Sequence, residues 1–128
     1  MRRFLVTAVG NRFEILFYLA IETGMRQGEL FGLKWVDIDW SRSKINVRRQ
    51  VQRLKGRGAF FKEPKTKAAN RIIEVGNPTI DKLRDQYQHQ MELRVIAGDN
   101  WKDNDLIFST TIGTPLDNSN VLKEFYSI

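Results

Sequence analysis

The chain contains no cysteine, a single histidine (His89) and only three prolines. Without cysteine there is no disulfide framework and no thiolate metal site, and one histidine leaves little from which to build a zinc site. A cytosolic compartment is the natural expectation. No apolar run approaches the length that crosses a bilayer, and Met1-Arg2-Arg3-Phe4-Leu5-Val6 is interrupted too early to read as a signal peptide. The 128 residues, 41% of them hydrophobic, predict one domain, 1–128, with a modest core.

Acidic residues are almost missing from one segment. Between Arg42 and Arg71 eleven basic side chains face a single acid, Glu63, so this segment carries +10 of a chain whose total is +6 and leaves −4 for the rest. A solvated surface normally mixes both signs, so such separation points to a polyanion. Nucleic acid is the expected partner, with Arg48, Arg53, Lys55, Arg57, Lys62 and Arg71 as contacts.

Hydrophobic periodicity predicts an α+β fold, mostly helical with a small three-stranded antiparallel sheet. Gly10-Asn11 suits a helix start, and Phe13, Leu16, Phe17, Ala20 and Ile21 share one stripe before Gly24, which can close the helix in left-handed geometry. Met25, Leu30 and Leu33 then predict a short second helix presenting Arg26 and Glu29, with Glu29 holding the Arg26 guanidinium. A permanently charged, planar guanidinium can give two parallel hydrogen bonds to one phosphate. An arbitrary Arg-x-x-Glu pair is otherwise an ordinary surface ion pair. Asp37-x-Asp39 could suggest a metal site, but two carboxylates alone are better read as turn formers and caps.

From Lys44 the period changes to two. Ile45, Val47 and Val51 alternate with polar residues to predict one strand, Ala59 to Lys62 a second, and Arg71 to Val75 a third, with Lys55-Gly56-Arg57-Gly58 and Lys65 to Asn70 as basic tips. Asn77 as cap and Pro78 at the first position open a helix with a stripe of Ile80, Leu83, Tyr87, Met91 and Val95, stopped by Gly98. His89 lies off that stripe and reads as solvent-facing. Leu106-Ile107-Phe108 is a short buried segment, and Gly113-Thr114-Pro115-Leu116 turns into a final helix capped by Asp117 or Asn118, with Val121, Leu122 and Phe125 on one face.

The string Thr23-Gly24-Met25-Arg26-x-Gly28-Glu29-Leu30-x-x-Leu33-x-Trp35-x-Asp37-Ile38-Asp39 resembles the first catalytic motif of tyrosine recombinases, the phage-integrase family. Glu63 to Val75 and the phrase Leu106-Ile107-Phe108 followed by Gly113-x-Pro115-Leu116 are similar to the same family. The resemblance narrows the partner to double-stranded DNA and implies site-specific recombination and DNA integration through a covalent 3′-phosphotyrosine, with no metal and no small-molecule cofactor. It places Arg26 on the phosphate, Glu29 in support, and Lys65 as the group protonating the departing deoxyribose oxygen, with Lys67 its competitor. It also implies a cytoplasmic, nucleoid-associated protein of bacterial or phage origin.

The family's His-x-x-Arg motif and nucleophilic tyrosine do not occur among these residues, and Tyr18, Tyr87 and Tyr126 read as structural. The expectation is therefore the first part of a catalytic domain, lacking the C-terminal motifs and the N-terminal core-binding domain. It would bind DNA without cleaving it and could self-associate through an uncovered helix face. Two rivals remain: a non-catalytic nucleic-acid-binding module built on a basic sheet, with Phe60-Phe61 as its stacking residues, and a basic sheet that docks an acidic protein surface.

Overall fold

The computed structural model describes residues 13–54, 58–62 and 70–117. The first helix, α1 (Glu14–Thr23), ends where Gly24 takes φ 68° and donates its N–H to the Ala20 carbonyl. Phe13, Leu16, Phe17 and Leu19 are buried, whereas Ile21 is 37% exposed, so the buried stripe is centred closer to Leu19 than the sequence suggested. The short helix α2 (Gln27–Phe31) buries Leu30 and Phe31, with Met25 and Leu33 buried on either side. A 3-10 turn at Trp35–Asp37 leads into β1 (Ile38–Asp39).

The single strand expected from Lys44 onward is divided. β2 (Lys44–Val47) lies between β1 and β5 (Arg71–Glu74) in an antiparallel three-stranded sheet, while β3 (Gln50–Leu54) pairs with β4 (Gly58–Lys62) as a separate hairpin. Alternation puts Arg49 on the same parity as Ile45, Val47 and Val51, so continuing the strand sends a guanidinium inward. It finds Asp37 there: Arg49 donates to Asp37 Oδ2 at 2.6 Å, to Asp37 Oδ1 at 3.3 Å and to the Gly32 carbonyl at 3.3 Å. The ladder breaks at Arg48-Arg49, and the chain resumes against α2 instead of β5.

Two glycines, Gly28 within α2 and Gly32 just after it, make that approach close. A Cβ on Gly28 would lie 3.0 Å from the Val51 carbonyl, and one on Gly32 would lie 3.1 to 3.2 Å from the backbone of Gln50 and Val51. Bare backbone at these positions lets β3 lie directly on the helix.

The long helix α3 (Asn77–Ala97) starts from Gly76 as its cap, not Asn77, which is already helical, and stops at Gly98. Glu22 of α1 replaces the missing cap, accepting from the Gly76 N–H at 3.1 Å and from the Thr79 hydroxyl. Thr79, Ile80, Leu83 and Gln90 are the buried residues of α3, while Tyr87 is 41% and Val95 82% exposed. The expected stripe therefore fails beyond Leu83. Glutamines take over: Gln90 donates to the Leu106 carbonyl at 2.7 Å and accepts from the Trp35 indole at 2.8 Å, and Gln86 donates to the Ile107 carbonyl at 2.8 Å. These bonds seat the buried run Leu106-Ile107-Phe108 beside Leu33–Trp35, where Trp35 N–H donates to the Asp105 carbonyl and Ile107 N–H to the Leu33 carbonyl. His89 is exposed. The expected start at Gly10-Asn11 and the final helix after Asp117 lie outside the described residues.

Candidate nucleic-acid interface

Arg26 immediately precedes α2 in an extended conformation, φ −71° and ψ 153°, and its side chain is exposed. Glu29 reaches back one turn and accepts the Arg26 backbone N–H at 2.9 Å. This fixes where the Arg26 side chain leaves the backbone. The guanidinium itself is not gripped as expected, because Glu29 forms neither a hydrogen bond nor a close ion pair with it. Among the described residues, no hydrogen bond or ion pair engages the Arg26 guanidinium.

The carboxylate is taken by Arg71 at the start of β5. Arg71 donates to Glu29 Oε2 at 2.7 Å and to Oε1 at 3.0 Å, a bidentate fork between residues 42 apart in the chain. The Arg71 guanidinium beside Glu29 holds its carboxyl below the ordinary value, burial opposes this, and the Arg26 N–H and, through space, the charges of Arg71 and Arg26 add to it. Glu29 in turn raises the Arg71 pKa. The Glu29 side chain is 14% exposed and that of Arg71 42%, so the pair is partly shielded from water.

β5 carries this linkage into the sheet. Arg71 lies opposite Val47, and Ile72 opposite Asn46. In the amide orientation that satisfies both its ends, Asn46 accepts from Arg48 Nε at 3.0 Å and donates to Asn70 Oδ1 at 3.1 Å. Exposed Arg48 is thus held across the strand end that also carries Arg71. Lys62 closes β4 opposite Gln50, half-buried. Arg53 belongs to β3, but its side chain lies outside the described residues, as do Lys55, Arg57, Lys65 and Lys67.

The two carboxylates of Asp37-x-Asp39 have separate duties. Asp37 is buried, pairing with Arg49 and accepting the Lys34 N–H at 2.9 Å. Asp39 forms the following turn, accepting from the Ser41 hydroxyl at 3.0 Å and the Arg42 N–H at 3.1 Å, with the Ser41 bond the main cause of its lowered pKa. Among the described residues no cluster of three or more His, Asp or Glu is placed to hold a metal, and no helix is long and apolar enough to cross a membrane. Tyr18 lies under Lys82 Nζ at 4.9 Å, and Tyr87 packs edge-on to Trp35 at 5.2 Å. Tyr126 is outside the described residues.

The sequence model of the phage integrase family matches residues 5–128. The chain belongs to the phage integrase family. Among its integrase-family relatives, a XerC-like tyrosine recombinase of Caldanaerobacter subterraneus subsp. tengcongensis is 35% identical over 130 residues, covering 93% of this chain and 33% of that protein. The prophage integrase IntR of Escherichia coli K12 is 36% identical over 73 residues, 57% of this chain and 17% of that protein. The chain therefore spans about a third or less of the length of these integrases. In fold it is similar to the Tn1549 transposon integrase solved with transposon right-end DNA, at a TM-score of 0.76 and 22% identity over 90% of this chain and 37% of that one. The XerA recombinase superposes with a TM-score of 0.65 at 24% identity over 95% of this chain and 37% of that one.

The sequence singled out Arg26 and Glu29 as candidates but did not reveal Arg71 as the partner of Glu29, nor the Arg49–Asp37 pair. The signal for Arg49 was its inward parity between Val47 and Val51. No local signal marks Arg71, since the fork depends on the β2–β5 register.

Proposed function

We propose that the chain is the first part of a tyrosine-recombinase catalytic domain, acting in site-specific recombination and DNA integration. In this reading Arg26 binds the non-bridging oxygens of the scissile phosphate. Lys65, with Lys67 as the alternative, protonates the departing deoxyribose oxygen, and Arg48, Arg53, Lys55, Arg57 and Lys62 line the path of the duplex. The observation that carries the proposal is an exposed guanidinium, unpaired among the described residues, at the centre of the family's first motif and fixed at its backbone by Glu29. A guanidinium so placed offers two parallel donors to one phosphate and stabilises charge that grows on it in the transition state. A role on DNA would hold the protein at the nucleoid of a bacterial or phage-infected cell.

The chemistry needs more groups than these 128 residues contain. Their single histidine is followed by Gln90, Met91 and Glu92, so no His-x-x-Arg occurs. Tyr18 and Tyr87 are packed in the contacts described above. With neither of these two placed to attack, the remaining groups would stabilise a transition state that nothing among the described residues initiates. The 128-residue protein should bind duplex DNA with a steep salt dependence and form no covalent adduct on a nicked suicide substrate. A covalent protein–DNA band would contradict the structural assignment of the tyrosines. A preference for single-stranded RNA would favour a basic-sheet binding module instead, although Phe61 packs on the core with Lys34 Nζ 4.5 Å over its ring and offers little free stacking face.

A further inference from the structure

Arg26 and Glu29 stand three residues apart at the start of a helix, the spacing at which a guanidinium and a carboxylate pair readily. In the structure they do not pair. Both Glu29 oxygens are occupied: Oε2 by one Arg71 nitrogen, and Oε1 by the other Arg71 nitrogen and by the Arg26 backbone N–H. Arg71 is the partner that holds the carboxylate. Its fork meets it with two parallel bonds from a backbone fixed opposite Val47 in the β2–β5 ladder.

We infer that Arg71 is a positioning residue that keeps the Arg26 guanidinium free by occupying Glu29. The inference rests on the reading of Arg26 as a phosphate ligand, and it assigns to Arg71 a role other than direct contact with DNA. With Arg71 in place, the Glu29–Arg71 pair is neutral and the local positive charge belongs to Arg26. Without it, a carboxylate that is mostly buried has lost its cation and the nearest replacement is Arg26, three residues away. Pairing there would turn the guanidinium back onto its own helix and cancel the charge offered to the phosphate.

The test combines proton–nitrogen spectra of arginine Nε groups with binding to a fluorescent duplex at fixed salt. The Arg26 resonance is identified by its loss in Arg26→Lys. Arg71→Met should shift that resonance as Arg26 engages Glu29, and should weaken duplex binding by as much as Arg26→Ala does, about tenfold. Adding Glu29→Gln to Arg71→Met removes the competing charge and should return both the resonance and the affinity toward wild type. Arg71→Lys, which keeps the charge near Glu29 but not the fork, should lie between and serves should Arg71→Met fold poorly. An unmoved Arg26 resonance in both Arg71 variants, or a double variant that binds no better than Arg71→Met, overturns the inference. The second result would mean that Arg71 itself touches phosphate or merely supports the fold. If Arg26→Ala leaves binding unchanged while the resonance moves as expected, the phosphate reading fails but the exchange of partners stands.

Discussion

Replacing Arg49 by alanine should destabilise the domain far more than any other single loss of a described positive charge. Arg49 and Asp37 have side-chain exposures of 11% and 1%, and their closest approach is 2.6 Å. Removing the guanidinium leaves the Asp37 carboxylate buried with the Lys34 N–H as its one remaining hydrogen-bond donor among the described residues. Breaking a buried pair from one side typically costs ~3–5 kcal/mol. A small domain has roughly 5–15 kcal/mol of stability in total, so the variant would be left with a fraction of it. With urea slopes of about 1–3 kcal/mol/M, the unfolding midpoint should fall by roughly 2 M. Arg42→Ala is the control: its contact with Asp39 is long, at 4.0 Å, and exposed, and the midpoint should stay in place. Combining Arg49→Met with Asp37→Leu removes both charges and should recover much of the loss. Equal midpoints for Arg49→Ala and Arg42→Ala, or a double variant less stable than the single one, would refute the reasoning.

Two further variants and conditions probe the same framework. Gly32→Ala pushes a methyl group to within 3.1 to 3.2 Å of the Gln50–Val51 backbone, which cannot retreat without breaking its pairing with β4; a loss of about 1–3 kcal/mol in urea unfolding is expected, and none would mean that β3 does not rest on α2. The pKa of Glu29 is lowered on folding, chiefly by Arg71, so its contribution to stability is complete above the unfolded carboxyl pKa and is lost as pH falls through the lower folded value. Stability measured between neutral pH and pH 3 should therefore decline less steeply in Glu29→Gln than in wild type, and parallel curves would exclude the linkage.

The periodic parts of the fold were legible from sequence because each was set by one local rule. Gly24 and Gly98 mark helix ends where the structure has them, and Ile45 and Val47 face the core as alternation requires. The divided strand was not legible. Arg49 interrupts the apolar alternation at a single inward position with Val51 resuming it, and the break itself comes from a tertiary contact with Asp37 and from the space left by Gly28 and Gly32. The failed stripe on α3 has the same kind of cause: Gln90 is buried because it satisfies an indole N–H and a carbonyl together, so a polar residue takes a core position. At the candidate site, the motif singled out Arg26 and Glu29, but a match of motifs says nothing about which cation a carboxylate chooses when one of the candidates arrives from another strand.

The salt dependence of duplex binding tests most directly whether Arg26 is presented to a DNA phosphate. Each phosphate neutralised contributes about 0.9 to the slope of log affinity against log salt. If Arg26 makes one such contact, Arg26→Ala should weaken binding at every salt concentration and make the slope shallower by about 0.9, with an unchanged urea midpoint. An Arg26→Ala protein with the slope and affinity of wild type would contradict the account.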